Sequence, residues 1–399
     1  MRIRRRNPCF IQIDEPLLPD FQALLSGRVA LHPTTGIQLL CPHAGEGLPV
    51  SSEELALLSR LPAGWCERSS LDPAAFPPEQ LDALLERTLL LSDPPGDARS
   101  AAVLDAEARA HAIGWHPLAR LYHGMTAWSG VMGDEGQRPH GDADQRARLL
   151  AHAARHGPVP THFPAHPDPL DTVALPDVET DHALSGVLRQ RRTTRHFDTS
   201  TPLPLEAFAQ VLRATFGACG TEELAPGMVA VKRTSPSGGA LHPIEAYPLV
   251  IDVAGLAPGF YHYRGDDHRL EAITRMTTAQ ARALANELVV GQDYFADAAA
   301  LVFHVARLDR QFWKYREHPK ALRVLLLDSG HLSQTFYLVA TGLGLGAFYT
   351  AAVNDADIAR ILCLDASARM VVGANGIGVA DPAREQLHLR PTALRLPQR

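Results

Sequence analysis

Two short stretches of this 399-residue chain carry side chains in patterns that chemistry can use. The first is Arg191-Arg192-Thr193-Thr194-Arg195. Guanidinium forks match phosphate oxygens two at a time, and a neighbouring hydroxyl donates a further bond, so the cluster could hold a phosphate monoester. A solvated basic helix end that complements the helix dipole accounts for the same residues. The second is Arg233-Thr-Ser-Pro-Ser-Gly-Gly-Ala-Leu-His-Pro243. Its small residues and adjacent glycines let backbone N–H groups approach a flat or anionic ligand, or else simply make a tight turn. It is neither a Walker loop nor G-x-G-x-x-G, so the fingerprints of a nucleoside triphosphate or a dinucleotide are absent. Five histidines, His140, His152, His156, His162 and His166, invite a metal reading. No glutamate sits beside them as in H-E-x-x-H, and the Gly, Pro and Asp around them make solvated linker the expectation and metal binding none.

The elements that must position these residues follow from periodicity and punctuation. The arginine cluster ends a helix with Leu184, Val187 and Leu188 on one face, and Pro202 and Pro204 precede a second with Leu205, Phe208, Val211 and Leu212. Strands are predicted at Met228 to Val231, Glu245 to Ile251 and Phe260 to Tyr263, the last entering a turn at Arg264-Gly-Asp-Asp267. A helix from Thr277 has Gln280 to complete a capping box. A strand from Leu301 to Val305, a long helix from about Leu322 to Gly342 and strands near Phe348 to Ala352 and Met370 to Gly373 complete the pattern. This is an α+β or α/β sandwich. On the long helix, His331 and Gln334 lie one turn apart beside Asp328, where they are expected to satisfy one another in the core. Upstream, Ser51 or Ser52 caps a helix through Leu55, Leu57, Leu58 and Leu61, and Pro78-Glu-Gln80 opens another with Leu81, Leu84 and Leu85. With the run Leu89 to Leu91 they suggest a small helix-turn-helix or winged-helix unit, or an irregular α/β cap. The division expected is 1–100, a winged-helix-like or peptide-recognition domain; 101–180, a helical segment and Pro/His-rich linker; and 181–399, a domain carrying the chemistry.

Composition narrows the functions. Lys and Arg number 38 against 44 Asp and Glu, a net charge of -6 that provides no overall basic field for a polyanion. The second candidate helix of the N-terminal unit offers only Arg87 as a cation, which disfavours DNA. Five scattered cysteines without a C-x-x-C pair argue against a disulfide framework and a zinc site, and point to a reducing cytosol. The basic start is followed by an apolar stretch broken by Pro8, Asp14, Glu15 and Pro16, so no signal peptide is expected, and the uncharged run between Asp328 and Asp355 contains too many polar and glycine residues to read as a membrane span.

Taken together, Arg191-Arg-Thr-Thr-Arg195 and Ser235-Pro-Ser-Gly-Gly239 resemble the paired R-x-[ST]-x-[RK] and P-S-x-G elements of the FMN-dependent nitroreductase superfamily. Pro258-Gly-Phe-Tyr-His-Tyr263, Trp313-Lys-Tyr315 and Leu327-Asp-Ser-Gly-His-Leu-Ser-Gln334 extend the resemblance, over about residues 181 to 380, to the SagB-type branch of peptide-maturation dehydrogenases. That resemblance implies a nitroreductase-like fold, a central mixed sheet flanked by helices in an intertwined homodimer, with FMN at the subunit interface. It implies that Arg191, Arg192, Thr193 and Arg195 meet the FMN phosphate and ribityl or the pyrimidine edge, that Ser237 and Gly238 come from the facing subunit, and that Tyr349, Thr350, Ala351 and Ala352 lie along the ring. Lys314 and Tyr315 match the position of a catalytic Lys-Tyr pair. A desolvated lysine beside cationic neighbours supplies a base near neutrality and a tyrosine can orient or relay the proton, although a surface lysine and a packing tyrosine would read the same. Ala240 stands where many relatives carry Asn, no Lys-x-Arg pair lies near the C-terminus, where Arg384 could substitute, and Glu317-His-Pro-Lys320 departs from the branch. The implied function is oxidation of azolines to azoles in a ribosomally made precursor peptide, in the cytoplasm, with a cyclase or other partner enzyme and with neither nucleic acid nor membrane as partner. A stand-alone NAD(P)H-dependent nitro or quinone reductase and a catalytically silent peptide-recruiting scaffold are the alternatives. An N-terminal extension of about 180 residues weighs against the former and the retained arginines and Lys314-Tyr315 against the latter.

Overall fold

The computed structural model describes residues 1–15, 17–42, 47–62, 64–133, 143–160, 170–176, 183–226 and 228–384. Their contacts separate into two compact units that do not follow chain order. One gathers Met1–Trp128, Ala306–Leu325 and Cys363–Met370, and the other Ser129–Val305, Leu326–Leu362 and Val371–Arg399.

In the first unit, local signals start and stop the helices. Ser51 accepts from the amide of Glu54 while Glu54 reaches back to the amide of Ser51, so Ser52–Arg60 begins with a complete capping box. Proline opens Pro78–Glu86. Ala98–Ile113 ends at Gly114, whose φ of 81° closes the helix by donating to the carbonyls of Ala110 and His111. Leu57, Leu58, Leu81 and Leu84 project from the first two helices into a core with Ile3, Leu39 and Leu90. The strand Arg2–Arg5 pairs antiparallel with Leu90–Asp93 on one side and Cys66–Glu67 on the other, and Phe10–Asp14 pairs with Gly36–Leu40. These N-terminal strands go beyond the helices and apolar run that the sequence suggested.

In the second unit the strand order is Arg269–Ala272, Gly259–Arg264, Ile244–Val250, Ala300–Arg307, Arg369–Gly378 and Gly346–Thr350. The two strands Ala300–Arg307 and Arg369–Gly378 each have two terminal residues that belong to the first unit. Ala300–Arg307 is buried along all but its last residue, as its unbroken apolar run requires of a strand covered on both faces. The last two strands pair antiparallel, Gly346 opposite Gly378 and Thr350 opposite Ala374. A Cβ at Gly376 would stand 2.0 Å from the Phe348 ring and one at Gly373 2.5 Å from the Tyr349 hydroxyl, so glycine is what lets these two aromatic rings lie across the neighbouring strand. The helices Ala183–Gln190, Leu205–Phe216, Thr278–Leu288 and Ala321–Gly342 appear where the periodicity placed them, the third with its Thr277–Gln280 capping box.

Three expectations change. Ala143–His156 is helical within the stretch read as linker, with the rings of His152 and His156 4.5 Å apart on one face; His140, His162 and His166 lie outside the described residues. Strand Met228–Lys232 pairs with Gly220–Ala225, which its two glutamates and full exposure had hidden. His331 and Gln334 are exposed rather than in the core, because the buried stripe of the long helix runs through Asp328, Ser329, Leu332, Ser333 and Phe336. No described helix is long and apolar enough to cross a membrane.

Candidate functional site

The arginine cluster begins where Ala183–Gln190 stops. The amide of Arg191 donates to the Val187 carbonyl and that of Thr194 to the Ala347 carbonyl at 2.8 Å, which fixes the segment against the edge strand Gly346–Thr350. Gly346 permits this approach, since a Cβ there would stand 2.7 Å from the Thr194 methyl. The Arg191 guanidinium lies 5.4 Å over the ring of Tyr337, and the Thr193 hydroxyl is 3.2 Å from the Tyr337 hydroxyl, so one aromatic residue of the long helix orients both. Arg192 is exposed, whereas Nε of Arg195 is buried and makes no hydrogen bond among the described residues. A buried guanidinium N–H left open among the described residues suits an anionic partner.

The Ser-Gly-Gly loop is tied to the same helix. Ser237 Oγ donates to Asp328 Oδ2 at 2.5 Å, the amide of Gly238 donates to Asp328 Oδ1 at 3.0 Å, and the amide of His242 donates to Ser237 Oγ at 2.9 Å. Ser235 Oγ lies 2.6 Å from Thr335 Oγ1. Gly239, Ala240 and His242 all have positive φ, 65°, 56° and 46°. Ala240 and His242 carry a Cβ in that region, a strain the surrounding bonds must hold.

Beneath the strand Gly346–Thr350 lies a polar network that sequence reasoning missed. His304, fully buried, has Nδ1 2.8 Å from Ser329 Oγ, which is 3.1 Å from the Tyr349 hydroxyl. Asn375 donates to the Phe348 carbonyl at 2.9 Å and to Ser333 Oγ at 3.3 Å. Burial pushes the His304 pKa down to about 4 against an opposing bond with Asn375, so the ring is neutral. Burial raises the pKa of Tyr349 and the Ser329 bond works against it. The signal was a single polar residue inside each of two apolar strand runs, His304 after Leu301-Val-Phe303 and Asn375 after Met370 to Ala374. Thr350 is buried, Ala351 exposed and Ala352 half-buried, with its carbonyl accepting from Gln292 at 3.3 Å. Arg384 pairs with Asp297, 3.6 Å away.

Lys314 and Tyr315 belong to the first unit, at the end of the helix Leu308–Lys314. Phe312 stacks on Trp115 at 5.3 Å, and the Trp115 indole donates to the Ser367 carbonyl at 2.9 Å. Arg316 donates to the Ala112 carbonyl at 3.0 Å, and the amide of Glu317 to that of Gly114 at 2.8 Å. The turn after the Lys-Tyr pair is thus held by the end of the helix Ala98–Ile113. Lys314 is exposed and Tyr315 half-buried, while Trp313 is 64% exposed, so the packed aromatic here is Phe312.

Comparison with known proteins closes the identification. The sequence pattern of the nitroreductase family matches residues 188–379. A protein of Methanocaldococcus jannaschii named as a nitroreductase is 33% identical over 190 residues, 48% of this chain and 88% of its own length. The chain belongs to the nitroreductase family. Two further relatives have names from peptide processing, in keeping with the SagB-type branch: the trifolitoxin-processing protein TfxB of Rhizobium leguminosarum bv. trifolii, 31% identical over 169 residues, and the microcin B17-processing protein McbC of Escherichia coli, 29% identical over 147 residues. The matches take in 41% and 35% of this chain, and the chain spans only about half of each of those relatives, 45% and 52%. The E. coli microcin synthetase McbBCD complex with truncated pro-MccB17 bound shares the fold over 69% of this chain and 97% of its own, at a TM-score of 0.50 and 19% identity. The fold is therefore nitroreductase-like, and the chain is a nitroreductase-family oxidoreductase.

Proposed function

We propose that this nitroreductase-family protein is an FMN-dependent dehydrogenase that matures a ribosomally made peptide, oxidising azolines to azoles as a cytoplasmic homodimer alongside a partner cyclase. The reading is supported first by the fit of the cradle to a flavin mononucleotide: Arg191 and Thr193 oriented by Tyr337, and Arg195 with a buried, unbonded Nε. FMN, when bound, supplies the hydride acceptor. Arg191, Arg192, Thr193 and Arg195 hold its phosphate and polar edge, Tyr349, Thr350, Ala351 and Ala352 border its ring, and Ser237 and Gly238 serve the facing subunit from a loop fixed by Asp328. Lys314 removes the proton from the ring carbon and Tyr315 orients it. Lys314 is exposed in its own chain.

The observation that carries the peptide reading is the origin of the Lys314–Tyr315 turn. It is built on Trp115, His111, Ala112 and Gly114, all from the N-terminal extension. A reductase of small molecules needs no such extension, whereas an enzyme that must handle a peptide gains from one. The names of TfxB and McbC agree with this reading. The M. jannaschii relative favours the alternative, a reductase of nitro compounds or quinones at the expense of NAD(P)H.

The test is to purify the protein, record its visible spectrum, release any yellow chromophore by heat and weigh it, then assay an azoline peptide. About one FMN per chain, with peptide oxidation abolished in Lys314→Ala while flavin content is kept, is the expected result. Rapid NAD(P)H oxidation with a nitroaromatic and no turnover of azolines would favour the reductase. A colourless protein that refuses added FMN leaves only the scaffold.

A further inference from the structure

Two cysteines far apart in the sequence are brought together in the first unit. Phe10–Asp14 is the outer strand of a three-stranded sheet and pairs with Gly36–Leu40. Its register sets Ile13 opposite Ile37, Ile11 opposite Leu39 and Phe10 opposite Leu40. One step further along, the same register sets Cys9 opposite Cys41. Beyond that step the two segments are joined again, where Arg6 donates to the Pro42 carbonyl at 2.6 Å. Contacts on both sides therefore bracket the two cysteines. Alternation along the strands puts Cys9 on the face of Ile11 and Cys41 on the face of Leu39, which are one face because Ile11 and Leu39 are opposed. Both cysteines pack into the core that holds Ile3, Leu39 and Leu57. Opposed residues of an antiparallel pair have Cα atoms about 4.5–5.5 Å apart, within the range of about 4.4–6.8 Å that a disulfide spans.

Both cysteines are free thiols. Cys41 is 1% exposed, and burial pushes its thiol up to about 11, against Arg6, while charge on Cys9 pushes it further. Burial raises Cys9 as well, and Arg5 and Arg6 oppose the rise. Cys9 is half-buried, so it is the sulfur that an external reagent reaches, and Cys41 is the shielded one behind it.

We propose that Cys9 and Cys41 are a reversible oxidation site, a dithiol that a low-molecular-weight disulfide such as oxidised glutathione converts into a cross-strand disulfide. The Cys9 thiolate attacks one sulfur of oxidised glutathione, breaking its S–S bond, releasing one glutathione and leaving the other bonded to Cys9. The Cys41 thiolate then attacks the Cys9 sulfur and expels the second glutathione. Two protein thiols are oxidised, one disulfide is reduced to two thiols, and the two protons lost by the cysteines pass to the two glutathiones. In a reducing compartment such a bond forms transiently and reports oxidation. The bridge ties the outer strand to its neighbour and closes a loop that contains the hairpin of Leu17–Pro19 and Leu31–Pro33, which restricts the unfolded chain.

The test uses the full chain with the exposed Cys219 and Cys363 replaced by serine, treated while folded with oxidised glutathione and weighed intact. Loss of two hydrogens, a digest in which the peptides of Cys9 and Cys41 are joined, and reversal by dithiothreitol are expected. The oxidised protein should unfold several degrees higher than the reduced one. Cys9→Ser should show neither the mass change nor the rise, and Cys41→Ala should retain glutathione on Cys9. Should Cys41→Ala fail to fold, the digest and Cys9→Ser decide the matter. A lasting glutathione adduct on Cys9 with Cys41 present, a bridge to Cys66 instead, a bridge that forms only in denaturant, or one that does not raise the unfolding temperature overturns the proposal. These measurements involve neither flavin nor peptide, so their failure and that of the dehydrogenase reading are independent.

Discussion

Buried beside one another in the second unit are His304, Ser329, Ser333 and Asn375, all uncharged; buried together in the first are Arg6, Glu107 and Arg120, all charged. The neutral network positions the Tyr349 hydroxyl through short bonds, and keeping His304 unprotonated spares it the desolvation of a charge. The charged cluster depends on Coulomb attraction, with Arg4 and Arg6 drawn to Glu107. One arrangement fixes geometry by hydrogen bonds, and the other gathers charge out of water.

The sharpest way to break this contrast is Glu107→Gln. It removes the carboxylate that Arg4 and Arg6 face and should cost about 3–5 kcal/mol in denaturant unfolding, and a cost near zero would mean that the cluster is solvated. Next is the pH dependence of the neutral network. His304 in the unfolded chain protonates near 6.5 and in the folded chain near 4, so the unfolded state takes up the proton first as pH falls. Stability is full above 6.5 and drops through that window at about 1.4 kcal/mol per pH unit, on the order of 3 kcal/mol in all. A histidine-free variant, His304→Phe, should be less stable at pH 7 yet show a shallower decline down to pH 4.5; a parallel decline would assign it to other groups. Asp328→Ala, which frees Ser237 and Gly238, should cost about 2 kcal/mol and weaken retention of added FMN, measured by equilibrium dialysis. The smallest effect is expected at the exposed capping box of the first unit, where Ser51→Ala should cost about 1 kcal/mol and leave FMN retention unchanged.

Elements with local causes were legible in the sequence. The capping residues Ser51 and Thr277, Pro78 and the apolar stripe of Ala321–Gly342 act within a few residues of themselves, and the helices they define appear as expected. The strand Arg2–Arg5 was not legible: three of its four residues are arginines, and it becomes a strand only through Leu90–Asp93, far along the chain. The arginine cluster and the Ser-Gly-Gly loop could be read by residue type, but their common dependence on the long helix, through Tyr337 and Asp328, required the fold. His304 and Asn375 looked like ordinary strand residues because their partners, Ser329 and Ser333, come from that same helix. Likewise, nothing local to Trp313-Lys-Tyr315 reveals that Trp115 and Gly114 hold the turn.

The interleaving of the two units bears on how such a protein can be divided and inherited. Because 306–325 and 363–370 are housed with the N-terminal residues, the part of the chain matching the nitroreductase family is not a cassette that could be cut out or grafted whole. Removing residues 1–128 would strip Phe312 of Trp115, Arg316 of the Ala112 carbonyl and Glu317 of Gly114, leaving an apolar ring and unpaired polar groups in the midst of the retained sequence. A variant that lacks residues 1–128 therefore leaves this turn without the groups that hold it.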